Sequence, residues 1–252
     1  MTRAFTLAEL PRLGIDPGLR LGRRVHEGYQ RGWGIEFGAL KDKIRADQDF
    51  ASALALALGR SVVTEERLMN LFMLIKLFLP RLGGGHIIEY GTYRGGSALF
   101  MARLAARFLP GTRVLALDTF AGMPETDRRV DAHGAGDFAE TDVEEVREAA
   151  RAAGLHNVTF IKGRFEDTAG AALAEAGRIA LTHIDCDIYS AVRCSYELTK
   201  PFMVPGGYYV FDDATMSSCL GATEVVEDIV IARDGLRSEQ IYPHFVFRHP
   251  EA

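Results

Sequence analysis

The sequence predicts an α/β fold: a doubly wound, mostly parallel seven-stranded sheet of Rossmann-like form, preceded by an N-terminal helical extension. Two observations predict it. Short apolar runs alternate with helical patterns over most of the chain, which implies βαβ units. Five of these runs end in glycine or an acidic residue, as buried parallel strands do where their carboxyl ends open onto a ligand. The five segments are 87–97, 115–124, 160–168, 183–189 and 208–214.

The composition limits the classes of protein to which the chain can belong. Its 252 residues suffice for one α/β domain with an extension, and 48% of them are hydrophobic, which suits a packed core. The formal net charge of −5 indicates no basic face for nucleic acid. The most apolar stretch, 68–80, is too short to span a bilayer, and the N-terminus lacks a signal-peptide pattern. We therefore expect neither a nucleic-acid nor a membrane partner.

The three cysteines indicate a cellular compartment. Cys186, Cys194 and Cys219 have no metal-ligand spacing and leave an odd thiol, so a reducing compartment, the cytoplasm, is the simplest interpretation. Cys186 lies between two acids. A cysteine at such a strand end is more often a small buried hydrophobic residue than a catalytic one.

The first part of the chain is expected to be an extension rather than a separate domain. Residues 1–60 have apolar helical stretches but too little mass for their own core, so they are predicted to cover the functional site formed by 61–252. A helix is predicted over 47–58. Thr64 then has the character of an N-cap, and the helix that follows it should stop at Pro80.

The remaining elements alternate regularly along the chain. The predicted strands are 86–90, 113–118, 157–161, 179–184 and 206–211. The predicted helices are 96–108, 142–153, 169–176, 189–199 and 222–233. The tail from Ile241 to Phe247 is strand-like and is expected to pair antiparallel at the edge of the sheet. The loop 122–141 is long, polar and glycine-containing, which is typical of a lid or a binding loop.

The turn after the first strand predicts a nucleoside site. Gly91 lets the chain turn sharply, and Gly95 and Gly96 let a ligand approach the backbone where the next helix begins. The spacing is G-x-x-x-G, not the G-x-G-x-x-G of nicotinamide enzymes. Asp118 ends the second strand, where an acid can accept hydrogen bonds from both ribose hydroxyls, although alone it could be a helix cap.

Other strand ends complete this predicted site. Glu89 precedes the glycine turn and can face an ammonium group or a ribose, and Gly163, Arg164 and Phe165 follow the third strand, where they would border an adenine. The residues predicted to contact the cofactor are Val63, Thr64, Glu89, Gly91, Thr92, Ser97, Asp118, Thr119, Gly163, Arg164, Phe165 and Asp185.

Four acids follow the fourth and fifth strands. Asp185 and Asp187 end one, and Asp212 and Asp213 end the other. If these strands are neighbours, like charges meet at one edge of the crevice, and a cation or a strong hydrogen-bond network is required. Oxygen-only ligands favour Mg²⁺ or Ca²⁺ over zinc. The alternative is that some of these acids cap the following helices, Asp187 and Asp213 first among them.

These residues carry a resemblance to the macrocin O-methyltransferase family, bacterial enzymes that methylate sugar hydroxyls of macrolides and related natural products. The matching segments are VVTEERLMN (62–70), EYGTYRGG, DTFAGMPETD (118–127), EEVREAARAAGLHNVTFIKGRFEDT (144–168), HIDCDIY and VPGGYYVFDD (204–213). The resemblance implies a class I methyltransferase domain over 61–252, S-adenosylmethionine as cofactor, and Asp185, Asp212 and Asp213 as magnesium ligands. Ile188 stands where the more distant catechol O-methyltransferases have a catalytic lysine, and GTYRGG replaces the usual GVWRGG.

The general base stays open at this stage. Asp185, Asp187 and His244 are the catalytic candidates. His183 should point away from Asp185 by strand alternation, and His133 lies in the long loop. Water or Asp187 could take the proton from a metal-bound hydroxyl.

Three functions are compatible with these residues. The first is a Mg²⁺-dependent O-methyltransferase that acts on a hydroxyl of a glycosylated or polyhydroxylated small molecule in natural-product biosynthesis. The second is a phenol or catechol O-methyltransferase. Its aromatic pocket would be built from Tyr90, Tyr93, Phe120, Phe138 and Tyr189. The third is a non-catalytic cofactor-binding partner subunit, against which the intact aspartate set argues. A homo-oligomer is compatible with all three.

Overall fold

The computed structural model describes residue 35 and residues 39–251. Most of the predicted extension, up to residue 38 apart from residue 35, therefore lies outside the described residues. Among the described residues, no helix is both long and apolar enough to cross a membrane.

A seven-stranded sheet forms the centre of the molecule, as the sequence predicts. The strands are β1 His86–Tyr90, β2 Val114–Asp118, β3 Val158–Lys162, β4 Ile179–Ile184, β5 Met203–Phe211, β6 Ser238–Gln240 and β7 Phe245–Arg248. Their order across the sheet is β3-β2-β1-β4-β5-β7-β6. The first five strands are parallel, and β7 pairs antiparallel with β5 and β6. The antiparallel tail is thereby confirmed, although it is divided into two short strands.

Helices cover both faces of this sheet. They are α1 Leu40–Arg45, α2 Gln48–Ala57, α3 Glu65–Met73, α4 Gly96–Phe108, α5 Val143–Ala152, α6 Phe165–Ala176, α7 Tyr189–Thr199 and α8 Leu220–Glu224. Helix α3 continues as a π-helix (Leu74–Phe78) and a 3₁₀ turn (Leu79–Arg81), and α8 continues as a π-helix (Val225–Arg233). Two hydrophobic clusters fill the space between the sheet and the helices on either face.

The strand order places a crevice beside the central strands. The chain leaves β1 toward β2 on one side and returns to β4 on the other, so the order reverses between β1 and β4. Ligands of open α/β sheets bind outside the carboxyl ends of the strands at such a point. Glu89 on β1 is level with His183 on β4, and His183 is level with Val210 on β5. The chain ends that follow β1, β4 and β5 therefore meet at one edge.

Three predicted helices differ from those observed. The helix after Thr64 is α-helical only to Met73, and the chain passes Pro80 within a 3₁₀ turn that ends at Arg81. Helix α6 begins at Phe165 rather than at 169, because the chain turns at Gly163 directly after β3 and the Phe165 ring packs edge-on against Tyr90, 5.1 Å between centroids. The predicted helix 222–233 is divided into α8 and its π-helical continuation. Thr64 is the N-cap of α3 with extended backbone, as predicted, but its side chain forms no capping hydrogen bond.

The described part of the extension shares the core of the main domain. Phe50 on α2 contacts Phe72 and Phe100 edge-on, with ring centroids 5.4 Å and 5.8 Å away. Asp47 accepts hydrogen bonds from Asp49 N and Phe50 N and so caps α2. Residues 40–57 are thus an integral part of the packing on one face of the sheet.

Replacing Phe50 with alanine should lower the free energy of unfolding by about 3–5 kcal/mol, because the ring is fully buried between two other rings. Leu58→Ala is the matched control. Its side chain is 68% exposed just beyond the same helix, and we expect a change within about 0.5 kcal/mol. Urea denaturation followed by circular dichroism measures both, and similar losses for the two variants would contradict the shared core.

Candidate active site

A cavity of about 300 Å³ lies at the carboxyl ends of the central strands. Its walls come from the glycine turn after β1, the ends of β2, β4 and β5, the start of α6 and the long loop 122–141. Among the residues that line it are Ser61, Val62, Val63, Gly91, Thr92, Tyr93, Ser97, Asp118, Thr119, Met123, His133, Phe138, Arg164, Phe165, Asp185, Asp187, Ile188, Asp212, Asp213 and Cys219. Most of the residues predicted from the sequence as cofactor contacts or metal ligands therefore lie at this cavity.

The glycine turn depends on the absence of a side chain at Gly91. Its φ is +84°, and a Cβ there would lie 1.8 Å from the carbonyl oxygen of Asp185. Gly95, with a φ of +79°, would place a Cβ 2.2 Å from Val146 Cγ1. Both positions are therefore restricted to glycine by conformation and by contact. The ends of β1 and β4 can approach closely as a result.

Asp118 holds this turn from the neighbouring strand. Its Oδ2 accepts hydrogen bonds from Thr92 N (2.9 Å) and Tyr93 N (2.8 Å), and its Oδ1 accepts one from Phe120 N (2.8 Å). Burial raises the pKa of this carboxyl, although the three amide donors act in the opposite direction. Asp118 is thus both a wall of the cavity and the acceptor that fixes the backbone of the turn.

A buried hydrogen-bonded chain leads away from the turn. Glu89 is fully buried, with Oε2 accepting from the Thr92 hydroxyl (2.6 Å) and Oε1 lying 3.0 Å from His183 Nδ1. The other ring nitrogen of His183 lies 3.4 Å from Asp212 Oδ1. Burial disfavours a charged His183, but the hydrogen bonds to Asp212 and Glu89 prevail and raise its pKa to about 9. At neutral pH His183 is therefore an imidazolium that donates to an acid on either side.

Asp212 receives two further donors. His244 Nε2 lies 2.7 Å from Asp212 Oδ1, and the Arg67 guanidinium pairs with Asp212 Oδ2 in a buried salt bridge. Burial lowers the pKa of His244 to about 4, so this ring is neutral and its Nδ1 can accept from Asn70 Nδ2, 3.0 Å away. Burial alone would raise the pKa of Asp212, but the hydrogen bonds from His183 and His244 hold it well below its usual range.

The acids after β4 and β5 meet as the sequence predicts. One carboxylate oxygen each from Asp185, Asp212 and Asp213 lies within 4.8 Å of the others. Burial, together with the neighbouring acids, raises the pKa of Asp185 and Asp213 well above the usual range. No described side chain donates a hydrogen bond to Asp185. Three converging oxygen ligands, two of which accept no hydrogen bond from a described side chain, fit a hard divalent cation.

The helix-cap alternative for these acids is wrong. The N-cap of α7 is Ile188, not Asp187, and the N-cap of α8 is Cys219, not Asp213. Asp213 Oδ2 instead accepts a hydrogen bond from Asp187 N, 3.0 Å away. Asp187 has a φ of +58°, in the left-handed region, and lines the cavity. This backbone conformation directs the chain so that both acids stay at the cavity edge.

The long loop 122–141, hereafter the lid, lies over the cavity. Two backbone hydrogen bonds fold its ends together, from Met123 N to Asp137 O and from Gly136 N to Met123 O. Asp131, which is 4% exposed, accepts from Tyr189 N at 2.9 Å and so fastens the lid to the start of α7. The lid is thereby a folded structure with its own anchors, which the polar composition of the loop did not indicate.

The structure separates the predicted site residues into two groups. Those that line the cavity are Val63, Gly91, Thr92, Ser97, Asp118, Thr119, Arg164, Phe165, Asp185, Asp187, Asp212 and Asp213. Thr64, Glu89, Gly163 and His244 are not part of its lining. His244, predicted as catalytic, is fully buried behind Asp212 and positions that carboxylate instead.

The predicted aromatic wall is only partly correct. Tyr93 and Phe138 line the cavity, with ring centroids 5.5 Å apart. Tyr90 and Phe120 belong to the two hydrophobic clusters, and Tyr189 is not part of the lining. Sequence reasoning missed Arg67 and Asn70, because a polar residue on an amphipathic helix is expected to face solvent until its partner is known.

Comparison with solved structures shows that methyltransferases share this fold. The calicheamicin methyltransferase CalS11 superposes with a TM-score of 0.62 at 19% identity, covering 80% of this chain and 91% of that one. The O-methyltransferase NovP gives a TM-score of 0.60 at 24% identity, over 74% and 79% of the two chains.

The family follows from the sequence comparison. The chain belongs to the macrocin-O-methyltransferase (TylF) family, whose model matches residues 38–231. A relative from Streptomyces olivaceus, 8-demethyl-8-(2,3-dimethoxy-alpha-L-rhamnosyl)-tetracenomycin-C 4'-O-methyltransferase, is 32% identical over 66% of this chain and 67% of its own length. Mycinamicin III 3''-O-methyltransferase of Micromonospora griseorubida is 26% identical over 72% and 74%. The protein is an O-methyltransferase.

Asp118→Ala should raise the dissociation constant of S-adenosylmethionine at least tenfold. The change removes an acceptor at the predicted ribose position and releases the amides of Thr92 and Tyr93, and each charge-assisted hydrogen bond contributes about 1.5–3 kcal/mol. Isothermal titration calorimetry measures the affinity, and circular dichroism checks that the variant is folded. Asp127→Ala, at an exposed position in the lid, is the control and should bind normally. Equal affinities would remove Asp118 from the cofactor site.

Proposed function

We propose that this O-methyltransferase transfers the methyl group of S-adenosylmethionine to a hydroxyl of a glycosylated or polyhydroxylated small molecule, with Mg²⁺, in natural-product biosynthesis. The observation that carries the proposal is the group of Asp185, Asp212 and Asp213 at the edge of a cavity with a glycine turn for a nucleoside. The named relatives support the acceptor class, since one is described as a rhamnosyl-tetracenomycin 4'-O-methyltransferase and another as a mycinamicin III 3''-O-methyltransferase.

The cofactor fits between the glycine turn and the start of α6. Asp118 faces the cavity from the end of β2, where ribose hydroxyls would donate to it. Arg164 and Phe165 also line the cavity and would border the adenine. Glu89 contributes indirectly, because its carboxylate holds Thr92 of the turn in place. In this arrangement the methyl-bearing end of the cofactor would point toward the acids after β4.

The three acids would hold Mg²⁺. When bound, the ion would lower the pKa of the acceptor hydroxyl and fix its oxygen next to the methyl group. Asp212 is kept ionised by Arg67, His183 and His244, so it is a permanently charged ligand. Asp185 and Asp213 repel each other and their neighbours, and this repulsion is relieved when a cation lies between them.

Asp187 is the proposed proton acceptor. It lines the cavity next to the acids and lies outside the set of three. Its Oδ1 lies 3.7 Å from His133 Nε2, which gives the proton a path toward the lid and solvent. Asp185 would orient the acceptor through the ion, and His244 would act only by positioning Asp212.

One observation favours the alternative acceptor, a phenol or a catechol. Tyr93 and Phe138 form an edge-to-face pair on the cavity wall, and such a pair can stack on an aromatic ring. A sugar ring can also pack on such a wall through its apolar face. A direct comparison of acceptors separates the two classes.

The N-terminal segment has a place in this proposal. We propose that residues 1–60 complete the acceptor side of the cavity, since Ser61, Val62 and Val63 line it where that segment joins the main domain.

Three free cysteines are consistent with a reducing compartment such as the cytoplasm. A homo-oligomer stays a prediction.

The purified enzyme should transfer label from methyl-labelled S-adenosylmethionine to rhamnosylated and other glycosylated polyketide acceptors in preference to catechols and simple phenols. A competing acceptor panel, with product identified by mass spectrometry, measures this preference. A higher kcat/KM for catechols would reverse it, and cofactor binding with no transfer to any acceptor would favour a non-catalytic subunit.

Asp185→Asn should raise the dissociation constant of Mn²⁺, used as a paramagnetic substitute for Mg²⁺, at least tenfold, because the variant loses one of three charged ligands. Electron paramagnetic resonance measures free Mn²⁺ directly, and cofactor affinity should change by no more than about threefold, ~0.65 kcal/mol. Chelation should abolish turnover and Mg²⁺ should restore it. Asp228→Asn, at an exposed position outside the cavity lining, is the control.

Asp185 is a better test than Asp212, because Asp212→Asn would also unpair the buried Arg67. Full turnover by chelated enzyme, or unchanged Mn²⁺ affinity in Asp185→Asn, would contradict a metal held by these acids.

A further inference from the structure

A second group of potential metal ligands lies on the other side of Asp187. A ring nitrogen of His133, a carboxylate oxygen of Asp187 and Sγ of Cys219 all lie within 4.8 Å of one another. The three residues come from the lid, from the end of β4 and from the segment after β5. We infer that His133, Asp187 and Cys219 form a binding site for a borderline-soft transition-metal ion such as Zn²⁺, which fastens the lid to the ends of the strands.

The spacing of the donor atoms fits a tetrahedral zinc site. Zinc bond lengths of about 2.0–2.2 Å to nitrogen or oxygen and about 2.3 Å to sulfur place tetrahedral ligands about 3.4–3.6 Å apart. Here His133 Nε2 lies 3.7 Å from Asp187 Oδ1, and Cys219 Sγ lies 3.4 Å from the same oxygen. The third separation, between the His133 ring nitrogen and Cys219 Sγ, is no more than 4.8 Å, so closure by about 1 Å at most brings the set to the tetrahedral spacing. All three residues line the cavity, from which a water molecule could supply a fourth ligand.

The histidine is already oriented for this role. His133 Nδ1 lies 3.2 Å from Asp137 Oδ2, and a proton on Nδ1 leaves the Nε2 lone pair free to face Asp187. A carboxylate behind the imidazole is the usual partner of a metal-binding histidine. Gly134 N also donates to Asp137 Oδ2 at 3.0 Å, so the lid backbone fixes the carboxylate in turn.

The ligand chemistry separates this site from the three-acid site. Mg²⁺ prefers oxygen ligands, whereas a set of imidazole, carboxylate and thiolate selects Zn²⁺ and its neighbours in the first transition series. In the absence of an ion, the Cys219 thiol donates to Asp187 Oδ1. The ion takes the place of that proton, which leaves to solvent, and the sulfur becomes a thiolate ligand.

Binding would have two consequences for the enzyme. The ion would link lid and strand ends with bonds much stronger than the present His133–Asp187 contact, so lid opening would be suppressed. It would also occupy the carboxylate of Asp187. The inference rests on donor geometry alone and holds whether or not the three acids bind Mg²⁺.

Co²⁺ is the probe for this site, because a thiolate–Co²⁺ bond gives a charge-transfer band in the near ultraviolet that oxygen ligands do not produce. The full-length enzyme, with excess Mg²⁺ present, should develop this band at one equivalent of Co²⁺, and Zn²⁺ should abolish it by displacement. Cys219→Ser should lose the band, and His133→Ala should weaken Co²⁺ binding at least tenfold. Cys194→Ser, at a half-buried thiol on α7 outside the cavity, is the matched control and should retain it.

Hydrogen exchange gives a second, independent measurement. Zn²⁺ should slow exchange in lid residues 127–138 of the unaltered enzyme and of Cys194→Ser, but not of His133→Ala. The inference is overturned if no charge-transfer band appears at saturating Co²⁺, if Cys219→Ser retains the band, or if Zn²⁺ leaves lid exchange unchanged. Should Cys219→Ser fail to fold, His133→Ala decides the question, since its position in the lid is partly exposed.

Discussion

The buried salt bridge between Arg67 and Asp212 is the interaction on which the active site depends. Asp212 is 1% exposed and receives Arg67 on one oxygen and His183 and His244 on the other. Removing one partner of such a pair leaves an uncompensated buried charge and costs about 3–5 kcal/mol. The three donors come from α3, β4 and the segment before β7, so one carboxylate joins the N-terminal helix, the sheet centre and the C-terminal tail.

The same network decides the charge of neighbouring groups. His183 is charged because it lies between Glu89 and Asp212, whereas His244 stays neutral because burial outweighs its single acidic partner. Asp212 is therefore ionised, while Asp185 and Asp213 experience its charge without donors of equal strength. Adjacent carboxylates thus have opposite pKa shifts. Asp185 and Asp213, whose ionised forms are disfavoured, are the two acids that a nearby cation would stabilise as carboxylates.

Asp187 lies between two chemically different surroundings. Toward β5 its neighbours are acids, and toward the lid its neighbours are an imidazole and a thiol. A proton on this carboxylate could therefore pass toward the lid. A borderline-soft metal ion could instead bind the same carboxylate together with the imidazole and the thiol. Both roles of Asp187 depend on the position of the lid. Asp131 anchors the lid to the start of α7, and His133 of the same lid lines the cavity.

The sequence by itself determined the succession of strands and helices along the chain, the glycine turn and the acids that follow β4 and β5. These acids meet because the sheet places β4 next to β5. In a parallel sheet all strands end at the same edge, so residues that follow neighbouring strands must converge, as Asp185, Asp212 and Asp213 do. Only the tertiary structure decided the partners of Arg67 and His244, the anchors of the lid and the contact of His133 with Cys219 and Asp187. Arg67 and Asp212 are 145 positions apart, and no local pattern encodes such a contact. The contact exists because α3 packs beside the end of β5, where both side chains are buried, and this packing depends on the whole chain.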